Sequence, residues 1–110
     1  MRLASFRAGG AASFGIVAGE GIIDLGRRLG PEVPDLRSAL APSVFGRLAG
    51  FADAPADHAL AEVELLPVIP NPDKILCIGV NYMSRLQETG RPPPTHPMIF
   101  TRFAGSQVGA

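Results

Sequence analysis

The stretch RLASFRAGGAASFGIVAGEGIIDL, residues 2–25, decides the fold of the first half of the chain. Its short apolar runs are separated by Gly9-Gly10 and by Gly19-Glu20-Gly21. Glycine pairs supply the positive φ that tight hairpin turns require. The pattern predicts three consecutive strands at residues 3–7, 13–17 and 22–25, and these form an antiparallel β-meander.

Short helices and a stiff connector are predicted to follow the meander. Asp35 is placed to cap a helix over 36–40, and Pro42 to begin another that runs to Leu48. Residues 53–58 have loop composition, and the apolar positions in 60–66 indicate a further strand. The stretch PVIPNPDK, residues 67–74, holds three prolines, which restrain φ and remove backbone donors. We therefore place a domain boundary there.

The chain changes character after this connector. The continuous apolar run ILCIGV, residues 75–80, predicts a strand buried on both faces. Ser84 and Gln87 have the spacing of a capping box for a short helix that Gly90 ends. Residues 91–97 contain four prolines and predict an extended loop before a strand over 98–103. The expected organisation is a small domain over 1–66, a connector over 67–73 and the start of a second domain over 74–110.

Composition excludes several classes of protein. Ten basic residues balance ten acidic ones, so a basic face for nucleic acid is not expected. No apolar run approaches the roughly 20 residues that cross a bilayer, and no signal peptide is apparent. The single cysteine, Cys77, allows no internal disulfide and fits a reducing compartment. We expect a cytoplasmic α+β protein, mainly β, with no nucleic-acid or membrane partner.

Few residues carry chemistry on spacing alone. Arg85 and Glu88 lie three apart on the predicted helix, just beyond a strand end, where ligand sites of α/β proteins are common. An ordinary solvated ion pair explains the same spacing. His58 and His96 are interpreted as exposed loop histidines, and Cys77 as a small core residue. The residues taken alone thus indicate a globular α+β domain without an assigned chemistry.

A family resemblance adds to this interpretation. The stretches NPDKILCIGVNY (71–82), ETGRP (88–92) and PMIFTRF (97–103), in this order and spacing, resemble the fumarylacetoacetate hydrolase family. They are most similar to bacterial members that act as 2-hydroxyhepta-2,4-diene-1,7-dioate isomerases or 5-carboxymethyl-2-oxo-hex-3-ene-1,7-dioate decarboxylases. The stretches MRLASFR (1–7), SFGIV (13–17) and GIIDLG (21–26) resemble the small N-terminal domain that precedes the catalytic β-roll there. The resemblance implies that residues 74–110 are the first strands of a truncated β-roll.

The resemblance also implies a divalent-metal enzyme, usually with Mg²⁺, that acts on small 2-oxo or β-diketo dicarboxylates. The metal chelates the oxo acid and stabilises the enolate formed during hydrolysis, decarboxylation or isomerisation. In the family a Glu-x-Glu pair and an Asp hold the metal. These ligands follow the position of Phe103, so the resemblance implies that this chain has no metal ligand and is inactive alone.

Within the matched segment, the family has Asn-Tyr-x-x-His-x-x-Glu, in which the His and Glu activate water or move a proton. The matching positions here are Asn81 and Tyr82, expected to bind substrate, and the catalytic positions Arg85 and Glu88. Arginine replaces the family's histidine, and it cannot act as a general base near neutral pH. Isomerisation or decarboxylation is therefore favoured over hydrolysis.

Further matched positions complete the expected site. Arg102 corresponds to a basic residue associated with the substrate carboxylate, and Ser106 to a following serine. We expect a homodimer, because the strands over 75–80 and 98–103 leave apolar edges open to pairing. The alternative is a non-catalytic, degenerate module for assembly or ligand binding.

Overall fold

The computed structural model describes residues 1–79, 82–90 and 92–110, and these residues form two units. The first unit comprises Met1–Asn71 together with Gln107–Ala110, and the second comprises Pro72–Ser106. The strands are β1 (Arg2–Ala8), β2 (Ala11–Ala18), β3 (Gly21–Asp24), β4 (His58–Ala59), β5 (Glu64–Leu65), β6 (Ile75–Ile78) and β7 (Ile99–Arg102). The helices are α1 (Leu25–Leu29), α2 (Leu36–Ala39), α3 (Pro42–Leu48) and α4 (Met83–Thr89), with 3₁₀ turns at Ala49–Phe51, Leu60–Glu62 and Ala104–Ser106.

An antiparallel five-stranded sheet in the order β4-β3-β2-β1-β5 forms the first unit. Gly9 and Gly10 have φ of 55° and 86°, so the β1–β2 hairpin uses the turn that two positive φ values allow. The predicted meander and the α+β, mainly β class are confirmed. Gly15 lies where β2 is flanked on both sides, and a Cβ there would come 2.2 Å from the Ile23 carbonyl oxygen.

The core of the first unit lies between the sheet and the short helices. Its buried residues come from β2, β3, the helices and the loop before α2: Phe14, Ile16, Ile23, Leu25, Val33, Leu36, Ala39 and Leu48. As predicted, Asp35 caps α2, accepting a hydrogen bond from the Ser38 backbone N–H at 2.7 Å. This bond lowers the pKa of Asp35 below its ordinary value. The cap and the apolar helix face together fix α2 against the core.

Two local predictions in the first unit are correct only in part. The stretch expected to be a loop over 53–58 has no helix or strand over 53–57, but its last residue begins β4, which pairs with β3 at Ile22↔His58. The strand expected over 60–66 is a 3₁₀ turn followed by the two-residue β5. Backbone bonds explain both outcomes, because the Asp57 N–H donates to the Ile22 carbonyl and the Leu60 N–H to the Glu20 carbonyl. The long-range pairing with β3 overrides the local pattern.

The second unit is a β6–β7 hairpin with α4 between its strands in sequence. Its register pairs Ile75 with Arg102 and Ile78 with Ile99. The prediction that the strand is buried on both faces is wrong, since Leu76 is 60% and Ile78 68% exposed. α4 begins at Met83, one residue before the predicted cap Ser84, and its start has no side-chain cap hydrogen bond.

α4 ends as predicted. Gly90 follows its last residue in the left-handed conformation, with φ of 64°, and closes the helix through its backbone N–H. In the part of the chain that the structure describes, no helix is long and apolar enough to span a bilayer.

Candidate functional site

The first candidate pair lies on the exposed side of α4. Arg85 and Glu88 are one turn apart, and the Arg85 Nη1 donates to the Glu88 Oε2 at 2.5 Å. Their side chains are 68% and 59% exposed, so both groups are open to a solute. Tyr82, at the residue before the helix, is also exposed. The i,i+3 spacing in the sequence predicted this exposed ion pair.

The second candidate pair closes the turn after β7. Arg102 donates from Nε to the Ser106 Oγ at 3.1 Å and from Nη2 to the Ser106 carbonyl at 2.7 Å. The Ser106 Oγ in turn donates to the Phe103 carbonyl at 2.6 Å. A guanidinium has five N–H donors in one plane, so Arg102 keeps donors for a further partner while its orientation is fixed. This arrangement suits an exposed carboxylate.

The two pairs remain separate among the described residues: no hydrogen bond or ion pair joins Arg85 or Glu88 to Arg102 or Ser106. Asn81, the remaining predicted site residue, lies outside the described residues.

The described residues, 1–79, 82–90 and 92–110, contain no cluster of three or more His, Cys, Asp or Glu side chains that could hold a metal ion. These residues therefore do not fit a Mg²⁺ ion, and we derive no chemical step through one.

Sequence reasoning missed a buried polar network in the first unit. Asp24, 4% exposed, caps α1 by accepting from the Arg27 N–H at 3.1 Å. The same carboxyl oxygen accepts from the Ser13 Oγ at 2.6 Å, and the other lies 3.5 Å from the His58 Nε2. Gly26 makes this possible, since a Cβ there would come 2.4 Å from the Ser13 Oγ. A carboxylate thus joins β2, α1 and β4.

His58 belongs to this network, so its interpretation as an exposed loop histidine is wrong. Its side chain is only 26% exposed, and its ring packs against that of Phe6 with the centroids 5.6 Å apart. The pairing of β4 with β3 carries His58 to Asp24. His96, by contrast, is exposed as expected, with its Nδ1 3.1 Å from the Thr95 Oγ1.

A second carboxylate extends the network. The Asp57 Oδ2 accepts from the Asp24 backbone N–H at 2.8 Å and from the Arg28 Nη1. The hydrogen bond from Arg28 lowers the pKa of Asp57 below its ordinary value of 3.8, against the opposing effect of burial. One sequence signal could have found part of this network, because Asp24 immediately precedes the Leu-Gly-Arg-Arg-Leu stretch and has the position of a helix cap. The link to Asp57 depends on long-range pairing.

Comparison with other protein sequences gives several relatives. No protein-family model matches the chain. Over 49 residues it is 47% identical to a mitochondrial oxaloacetate tautomerase from Xenopus laevis and 43% identical to one from Homo sapiens. These matches cover 44% of this chain but only 15% and 16% of those proteins. A protein named as a candidate hydrolase from Burkholderia ambifaria is 28% identical over 110 residues, which cover 99% of this chain and 38% of the relative.

Comparison of folds agrees with the sequence matches. The crystal structure of a protein described as a candidate HpcE from Mycobacterium smegmatis superposes with a TM-score of 0.69 and 27% identity. The superposition covers 93% of this chain and 36% of that one. The Burkholderia and Mycobacterium proteins both match nearly the whole of this chain. The chain, in turn, spans little more than a third of the length of either protein.

Proposed function

The chain is a relative of the fumarylacetoacetate hydrolase family, and from that premise we propose that it forms the amino-terminal portion of a metal-dependent enzyme of the family. Its substrates would be small 2-oxo or β-diketo dicarboxylates. Support comes from the tautomerases among its relatives, because oxaloacetate is itself a 2-oxo dicarboxylate. Keto–enol isomerisation is accordingly the favoured reaction, ahead of decarboxylation and C–C hydrolysis.

The observation that carries this proposal is the fixed orientation of Arg102. Two hydrogen bonds hold its guanidinium on Ser106, and the side chain remains exposed. A guanidinium held in this way loses little conformational freedom when it binds a carboxylate through two parallel N–H donors. We assign Arg102 to the substrate carboxylate, with Ser106 as its positioning residue and Asn81 and Tyr82 as additional substrate contacts.

Glu88 is the proton-transferring group of the proposed site. Isomerisation of an oxo acid moves a proton between carbon and oxygen, which requires a group able to accept and return it. A guanidinium has no neutral form that can accept a proton near pH 7, so only the carboxylate of the pair can do this. Arg85 holds the Glu88 carboxylate by its hydrogen bond and adds positive charge beside the site. Mg²⁺, which stabilises an enolate when bound, would need ligands that the described residues do not supply.

An assay of enol-oxaloacetate ketonisation, followed by ultraviolet absorbance, tests the proposal. We expect the ketonisation rate with the 110-residue chain and Mg²⁺ to equal the rate with Mg²⁺ alone. A longer protein from the same reading frame should raise the rate above that value. Calorimetry should find no stoichiometric micromolar Mg²⁺ site on the short chain. Turnover or a tight Mg²⁺ site on the short chain would contradict its assignment as an inactive portion.

Replacing Arg85 in the longer protein tests the preference for isomerisation. Arg85→His restores the family's base, so we expect C–C hydrolysis of a β-diketo acid to increase, by about tenfold or more given the usual contribution of a general base. Arg85→Lys, which keeps the charge but supplies no comparable base, is the matched control. Equal hydrolysis by both variants would show that residue 85 does not decide the reaction.

The alternative, a non-catalytic assembly module, is favoured by the apolar surface of the second unit. Leu76, Ile78 and Ile99 are all more than half exposed, and such a surface promotes association of copies into a homodimer. The coding sequence after codon 110 separates the two functions. An in-frame continuation with Glu-x-Glu supports the enzyme, and an immediate stop codon supports the module. A monomer at high concentration in sedimentation would contradict the module.

Ligand binding without turnover can be examined on the same chain. Tyr82 is the only tyrosine and the chain has no tryptophan, so intrinsic fluorescence reports on one exposed residue of the proposed site. Titration with oxalate or pyruvate should change this fluorescence if residues 82–106 bind oxo acids by themselves. A titration without a change in fluorescence would indicate that residues 82–106 do not bind oxo acids by themselves and that binding requires the longer protein.

A further inference from the structure

A cavity of about 530 Å³ lies within the first unit, apart from the residues assigned above. This volume is within the range of about 300–1,000 Å³ that is usual for small-molecule sites. β1, β2, α1, β4 and the loop at residues 30–34 all contribute to its walls. Much of the wall is apolar, formed by Phe6, Val33, two prolines and three alanines. Such walls suit the hydrocarbon body of a ligand.

Polar side chains among the lining residues give the cavity its chemistry. They are Ser13, Asp24, Arg27 and His58. Asp24 is already occupied, because one of its oxygens accepts from Ser13 and from the Arg27 N–H while the other faces His58. Its carboxylate is therefore poorly placed to bind a cationic ligand.

Arg27 differs from the other polar groups because its guanidinium is only weakly engaged. Its Nη1 lies 3.9 Å from the Asp57 Oδ1, too far for a hydrogen bond, and its side chain is 70% exposed. Asp57 is bound instead by Arg28 and by the Asp24 N–H. Arg27 is therefore a cation with free donors at the margin of an apolar cavity, and His58 lines the same space.

We propose that this cavity binds a small monocarboxylate with an apolar body, such as an aryl- or alkyl-carboxylate. The carboxylate is held by the Arg27 guanidinium, and the body lies against the wall that includes Phe6, Val33 and Ala12. The site is independent of the proposed enzyme activity, because none of its residues belongs to the 82–106 segment. Failure of either proposal leaves the other unaffected.

Titration of the ¹⁵N-labelled chain with phenylacetate, followed by amide NMR shifts, tests the site. We expect saturable shifts at Ser13, Gly26, Arg27 and Gly30. Phenethylamine and 2-phenylethanol have the same ring without the negative charge and should bind at least about tenfold more weakly. Absence of saturable shifts at these amides, or equal binding of phenethylamine, would overturn the proposal.

Two variants and one control connect the binding to the named residues. Arg27→Gln should weaken phenylacetate binding at least about tenfold, the usual effect of removing a charge-assisted hydrogen bond. Ala12→Leu fills the cavity from an exposed position of β2 and should abolish binding while Arg27 is retained. Arg47→Gln changes an exposed arginine of α3, outside the cavity, and should bind like the unmodified chain. Unchanged binding in Arg27→Gln or Ala12→Leu contradicts the site.

Discussion

The two units use their apolar residues in opposite ways. The first buries seven large side chains completely, from Phe6 to Leu48, and joins its elements through the buried carboxylate of Asp24 and the half-buried one of Asp57. In the described part of the second unit, Leu86 is the one buried apolar residue; β7 exposes all its residues, and β6 alternates half-buried with exposed ones. Burial of apolar surface is the dominant favourable contribution to folding. The first unit therefore has the means to fold by its own contacts, and the second derives little stability from its own.

The same substitution made once in each unit gives the largest expected contrast. Leu36→Ala removes a side chain that is 1% exposed in the core, and we expect the free energy of unfolding to fall by about 2–5 kcal/mol. Leu76→Ala removes one that is 60% exposed, and a change within about 0.5 kcal/mol is expected. Urea unfolding followed by circular dichroism measures both. Similar losses in the two variants would show that β6 is buried in solution.

Two glycine-to-alanine substitutions compare a tightly packed position with an open one. Gly15→Ala places a Cβ 2.2 Å from the Ile23 carbonyl oxygen, and the required shift of strands should cost about 1–3 kcal/mol or more. Gly46→Ala lies in α3 with nothing within 4 Å of the added Cβ. Since alanine favours a helix over glycine, this control should stabilise the protein by about 0.5–1 kcal/mol. Thermal unfolding should move in opposite directions for the two variants.

Sequence patterns predicted the elements that depend on neighbours in the chain. Glycine pairs located the turns of the meander, Asp35 located the start of α2, and the three-residue spacing located the Arg85–Glu88 pair. Each of these features is fixed by contacts within a few residues, so a local pattern can report it.

Features that depend on distant partners were not predictable in this way. β4 forms because its backbone pairs with the edge of β3, and that pairing brings His58 to Asp24. A run such as ILCIGV indicates that a strand can be buried, but other elements decide whether it is. Contact of Arg102 with Ser106 likewise requires the 3₁₀ turn after β7, which has no clear local signature.

The ion pairs of the first unit make its stability depend on pH. Asp57→Asn removes the negative charge that binds Arg28 and weakens the bond from the Asp24 N–H, and at pH 7 we expect a loss of about 1–3 kcal/mol. Because the pKa of Asp57 is lower in the folded state than its ordinary 3.8, the unfolded chain binds more protons below about pH 5. The contribution of Asp57 is therefore complete above that pH and is lost as the pH falls through the folded-state pKa.

Urea unfolding of the unmodified chain and of Asp57→Asn between pH 7 and pH 2 measures this dependence. The difference between the two should be constant near neutral pH and should begin to shrink below about pH 5. Asp35, whose pKa is also lowered, is present in both proteins and cancels in the difference. Asp53→Asn changes an exposed carboxylate four residues away and should behave like the unmodified chain. A difference that grew on acidification would contradict the ion-pair explanation.

The smallest expected effect concerns the ion pair of the second unit. Arg85 and Glu88 are both more than half exposed, so water screens their attraction, and Glu88→Gln should change the free energy of unfolding by no more than about 0.5 kcal/mol. Glu64→Gln is the matched control, since the Arg7–Glu64 pair of the first unit is similarly exposed and should be equally weak.

A small effect at Glu88 matters for the assignment of function. Where a residue contributes little to folding, loss of activity on its substitution in the longer enzyme reflects chemistry and not damage to the structure. A loss at Glu88 above about 1.5 kcal/mol would instead give this carboxylate a structural role that its exposure does not explain. In that event the Arg85–Glu88 pair would belong with the Arg28–Asp57 pair as a stabilising contact, and Arg102 alone would carry the proposed site.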